Sequence, residues 1–104
     1  MGALGKKNRL HAAGRFDTTA GAIDNPGSGN WSVANVGVGI ADITLQDPID
    51  VTERQVFVTV RTTSLNVATI PASDSDTNIR VHVELDDSTD TDAHVDFLVL
   101  RAGG

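Results

Sequence analysis

The 104-residue chain is predicted to be all-β, with a small β-sandwich of jelly-roll topology favoured over a small barrel. Val, Ile and Thr supply 29 of its 104 residues, whereas Lys and Glu together supply four, a balance that favours strands over helices. Apolar and polar residues alternate with a period of two in several short runs, and Gly, Pro, Asn and Asp gather between those runs. The length suits one compact domain, and 39% hydrophobic residues suffice for a core.

Residues 1–9, MGALGKKNR, show no periodicity and read as a flexible basic N-terminal arm, with the single domain over residues 10–104. Leu10 to Asp17 reads as a first strand. Thr18 to Asn30, with three glycines, a proline and two asparagines, reads as a long loop. Trp31, Val33 and Val36 open an apolar segment that continues through Gly37 and Gly39 to a strand ending at Leu45. Those glycines permit a bulge or a close backbone approach.

Asp47 to Asp50, DPID, is turn chemistry, because proline presets φ and aspartate bonds its own backbone. Val56, Val58 and Val60 form one alternating strand and Ile79, Val81, Val83 and Leu85 another, and both are expected to be central. Between them Leu65 to Ile70 is a shorter strand, bounded by Pro71 and the polar stretch 73–78. The last strand spans about Ala93 to Arg101. Val95, Phe97 and Val99 face one way while Leu98 and Leu100 share the other with Asp96, which predicts a strand covered on both faces. Only four aromatic residues fill this sandwich, so assembly is expected to supplement a thin core.

Fourteen acidic against eight basic residues give a net charge of -6, which argues against nucleic acid as a partner. Lys6, Lys7, Arg9 and Arg15 nevertheless precede the first acid, Asp17. Cysteine is absent, removing disulfides and thiol chemistry. No apolar run approaches the roughly 18 to 20 residues that cross a bilayer, and no secretion signal opens the chain, so a soluble protein made in the cytoplasm, with no membrane partner, is expected.

Three pieces carry a resemblance: AAGRFD (Ala12 to Asp17), NWSVANVGVGIADITLQDPID (Asn30 to Asp50) and IRVHVELDDSTDTDAHVDFLVLR (Ile79 to Arg101). In that order they resemble the compact trimeric jelly-roll domains of tailed-bacteriophage structural proteins, kin in shape to the tumour-necrosis-factor-like trimers. The resemblance implies a virion protein: a capsid decoration (cement) protein on the outer surface of the head, partnered by the major capsid protein and by itself as a homotrimer. The alternative is a tail-fibre tip or receptor-binding domain that contacts a host glycan or protein. A short arm with one domain, opening at Met1, suits decoration better than a tip continuing from a shaft. On this reading Leu4, Lys6, Lys7, Arg9 and Leu10 bind the capsid, and His82, Leu98 and Leu100 form the oligomer interface.

Asp86, Asp87, Asp90 and Asp92 offer oxygen ligands at short spacing, but the glycine and final Glu of an EF-hand loop are missing, and a solvated Ser/Thr/Asp turn explains them more simply. Asp74 and Asp76 read as turn residues. His11, His82 and His94 lack accompanying Cys or Glu in a metal-site pattern, and no serine sits in a nucleophile elbow. No metal, cofactor or enzymatic activity is therefore expected. His82 alternates with Arg80 and Glu84 on a polar strand face, where a cross-strand pair or a subunit contact would place it. Trp31 opens an apolar strand and is expected in the core, rather than displayed as a sugar platform.

Overall fold

In the computed structural model, residues 9–61, 65–70, 74–85 and 89–101 are described. Eight strands follow in order: β1 (Arg9–Asp17), β2 (Ala22–Asn25), β3 (Trp31–Gly37), β4 (Ile40–Leu45), β5 (Arg54–Val60), β6 (Leu65–Thr69), β7 (Asn78–Leu85) and β8 (His94–Arg101). They form two four-stranded antiparallel sheets, β2-β1-β8-β5 (sheet A) and β3-β4-β7-β6 (sheet B), packed as a small β-sandwich. Asp50 caps a 3-10 turn over Val51–Glu53 by accepting from Thr52 N, as the turn chemistry of DPID anticipates. Among the described residues no helix is long and apolar enough to cross a membrane.

The core lies between the sheets. Sheet A contributes Ala12, Phe16, Val95, Phe97 and Val99, and sheet B contributes Trp31, Ala41, Ile43, Leu45, Ile79, Val81 and Val83, all buried. The alternation of Ile79, Val81 and Val83 with half-buried Arg80, His82 and Glu84 is the period-two pattern of a strand with one face on a core. Three of the four aromatic residues meet at one end. Trp31 stands edge-on to Phe97 with ring centroids 4.7 Å apart, and Phe16 lies 6.2 Å from both. Trp31 is 4% exposed, as expected for a core residue, and its indole N–H donates to Pro26 O at 2.8 Å.

Four sequence expectations change. Thr18 to Asn30 is not only a loop, because its middle forms edge strand β2 against β1; all four residues of β2 are exposed, so no alternation marked it. The segment from Trp31 to Leu45 is a hairpin rather than one strand. It reverses at Val38 and Gly39, where Gly39 takes φ +72, a left-handed conformation that a side chain resists. The anticipated bulge is present, between Asn35 and Gly37. β5 is an edge strand, although Val56, Val58 and Val60 alternate as a central strand would; their inward faces are only partly covered. β8 is central in its sheet, but no second layer of described residues covers Leu98 and Leu100.

Candidate functional surfaces

The register of sheet A sets out its outer face row by row. Ala13, Leu98 and Phe57 are neighbours across β1, β8 and β5, and the next outer row joins Leu10, Leu100 and Gln55. A bulge between Leu10 and Ala12 turns Leu10 onto this face while Ala12 enters the core. Phe57 is 52% and Leu10 57% exposed, whereas Leu98 and Leu100, shielded by neighbours on both sides, are half-buried. The outcome is a continuous apolar band on the side of the sheet away from the core. Its far end is closed by a polar row in which Arg15 pairs with Asp96. That pairing raises the Arg15 pKa above its usual value, chiefly through the hydrogen bond to Asp96.

Strand β1 begins at Arg9, whose partner in β8 is Arg101, which in turn lies opposite Arg54. Arg9 is exposed, Arg101 pairs with Glu53 at 3.1 Å, and Arg54 turns inward. The Arg54 side chain is only 3% exposed and donates to the carbonyls of Ser75 and Asn78 at 2.6 and 3.2 Å, beside Asp74 at 3.4 Å. It thereby ties β5 to the approach of β7. Arg9 and Leu10 thus stand at one end of the apolar band, while Leu4, Lys6 and Lys7 lie outside the described residues.

The outer face of sheet B is polar. Arg80 donates to both carboxylate oxygens of its cross-strand neighbour Asp42, at 2.7 and 3.0 Å. This pairing lowers the Asp42 pKa and raises that of Arg80, in both cases chiefly through the shared hydrogen bonds. His82 lies 2.6 Å from Asp90 through Nε2 and faces away from the Leu98 band, on the opposite side of the sandwich. Elsewhere His94 contacts Asp24 and lies 3.8 Å from Asp17, and His11 donates from Nε2 to Asp47 O at 2.8 Å.

The acidic stretch separates into different fates. Asp92 is a structural hub, its Oδ1 accepting from Thr18 Oγ1 at 2.9 Å and from Gly39 N at 2.8 Å. Thr18 is fully buried and its hydroxyl accepts from Ala93 N at 3.0 Å, so three chain reversals converge on this pair. Asp90 faces His82, and Asp86 and Asp87 lie outside the described residues. Asp74 Oδ1 accepts from Arg80 N at 3.1 Å, the backbone role expected of it.

Two features escaped the sequence reading. Phe57 joins the outer band, which required knowing that β5 lies beside β8. Alternation already placed Glu84 on the face of His82, but the return of Asp90 against that strand, which brings the three side chains together, required the fold. Comparison of the chain with family models, with curated proteins and with solved structures gives no match.

Proposed function

We propose that this protein is a virion structural protein, a capsid decoration protein that stabilises a phage head by bridging subunits of its shell. The observation that carries the reading is the apolar band Leu10, Leu98, Leu100 and Phe57 on the outer face of sheet A. A single copy leaves these side chains to water, and a second surface laid over them removes the cost. The sandwich core contains just three aromatic rings, so assembly adds apolar burial where one copy has little.

Of the pairings that jelly-roll winding requires, the strand order has the adjacency of first and last strands, while β1–β2, β3–β4 and β6–β7 are local hairpins. The chain begins and ends with neighbouring strands, β1 and β8, while β4 lies beside β7 in the opposite sheet. In a homotrimer with threefold symmetry, each copy offers its Leu98 face to a different surface of the next, since a cyclic ring of three uses unlike patches. His82 lies on the other side of the sandwich and takes no part in this patch. Leu4, Lys6, Lys7, Arg9 and Leu10 engage the major capsid protein, their basic groups matched to an acidic patch on the shell. A net charge of -6 over the chain disfavours packaged DNA as a partner.

Sedimentation equilibrium tests the assembly. The wild-type protein should show a mass three times its 10.9 kDa. Leu98→Asp combined with Phe57→Asp should fall to a single copy with unchanged far-ultraviolet circular dichroism. A wild-type protein that stays monomeric, both alone and on purified heads, would overturn the reading. So would a count in virions of only a few copies per particle, which would instead move the protein to the tail as a receptor-binding tip.

A further inference from the structure

His82 and Glu84 occupy alternate positions of β7, so both project from the outer face of sheet B, where both are half-buried. The chain then returns against this strand. Glu84 and Asp90 form an antiparallel bridge, with Leu85 N donating to Thr89 O at 2.8 Å and Thr91 N to Val83 O at 3.3 Å. Backbone pairing thus fixes Asp90 beside the two strand residues. One donor atom from each of His82, Glu84 and Asp90 lies within 4.8 Å of the others.

Two carboxylates at this separation repel one another in a protein that is already strongly acidic. Among the described residues neither is paired with Lys or Arg, and Arg80, on the same strand face, is held by Asp42. A hollow of ≈ 120 Å³, lined by His82 and Glu84 together with Asn66, Ala68 and Ile70, opens beside the cluster and leaves room for water. One imidazole nitrogen with two carboxylate oxygens, on a rigid frame with open positions, is a donor set for a borderline divalent ion. Calcium, by contrast, takes six to eight oxygens.

We propose that His82, Glu84 and Asp90 form a binding site for one divalent transition-metal ion of the zinc type. The ion replaces the His82–Asp90 hydrogen bond with coordination to both residues, neutralises the paired carboxylates and clamps the segment entering β8 onto β7. The site does not involve the Leu98 face, and it stands or falls separately from the capsid reading.

The test is isothermal titration of the chelator-treated full chain with zinc chloride, with the melting temperature followed in parallel. One zinc per chain should bind saturably and raise the melting temperature. His82→Ala and Glu84→Gln should each weaken binding by at least about tenfold, since loss even of a supporting hydrogen bond costs metal sites about 10- to 100-fold. His82→Gln, which retains a donor toward Asp90, guards against loss of fold and should bind zinc as weakly as His82→Ala. His94→Ala, at the opposite sheet, should bind like wild type. Absence of saturable uptake at millimolar zinc would overturn the proposal, as would uptake indifferent to His82 and Glu84 or lost with His94.

Discussion

Gly14→Ala places a methyl group where the indole of Trp31 already lies. The new carbon would stand 2.1 Å from Cζ2, 2.6 Å from Cε2 and 2.8 Å from Nε1, all closer than atoms tolerate. The ring cannot simply step aside, because Phe97 meets it edge-on at 4.7 Å and its N–H is bonded to Pro26 O. Overpacking of this kind costs about 1 to 3 kcal/mol. Loss of the indole hydrogen bond adds about 1 kcal/mol. The reduced freedom of the unfolded chain returns only about 0.4 to 1 kcal/mol. A net destabilisation of about 2 to 3 kcal/mol follows, which lowers the melting temperature of a domain this size by roughly 8 to 24 °C. Urea unfolding followed by tryptophan emission measures both the loss and its origin, since a displaced ring emits at longer wavelength. In a Trp31→Phe background, where the offending atoms are gone, the same glycine substitution should cost less than half as much. A Gly14→Ala protein within about 0.5 kcal/mol of wild type and with unshifted emission would refute the packing account.

Two further outcomes follow from the polar contacts. Asp92→Ala strips the acceptor from buried Thr18 and from Gly39 N and should cost about 2 to 4 kcal/mol in urea unfolding, whereas Asp92→Asn, which keeps an acceptor oxygen, should recover most of it. The pKa values of Asp17, Asp42 and Asp50 are held below the ordinary 3.8, by the Thr19 backbone N–H, by Arg80 and by the Thr52 backbone N–H respectively. Over the interval between lowered and ordinary values the unfolded chain binds more protons than the native one. Their contribution is therefore complete above the ordinary value and lost as pH falls through the lowered ones. The urea midpoint should decline steeply below about pH 4, and a smaller decline in Asp42→Asn would identify that residue's share.

Strong alternation made β7 and β8 legible in sequence, because each buries one complete face: Ile79, Val81 and Val83 in one, Val95, Phe97 and Val99 in the other. Ala22–Asn25 was not legible, since a short strand exposed on every residue is specified by its partner β1 and not by its own side chains. Glycines were ambiguous for a related reason. Gly37 and Gly39 are compatible with a bulge or a reversal, and what separates them is the left-handed φ and the Asp92 contact at Gly39, a partner 53 positions away. Similarly, Leu98 and Leu100 were visible as outward apolar residues, but their continuity with Phe57 and Leu10 depends on which strands flank β8. Asp92 looked like any aspartate of a polar turn until the fold brought Thr18 and Gly39 to it.

The pairing of β1 with β8 also bears on how the chain acquires its fold. Arg9 is matched with Arg101, so sheet A is closed by residues 92 positions apart, and β8 must enter between β1 and β5, two strands with no ladder to each other. A ribosome delivers residues at about 5 to 20 per second, so β1 waits several seconds for the partner that covers it. The β1–β8–β5 ladders then form only after β8 has been made, and a chain dominated by such distant contacts folds in milliseconds to seconds rather than microseconds. During that wait Phe16, bound for the core, is exposed together with Leu10 and Phe57, which makes the nascent chain a natural client for a chaperone.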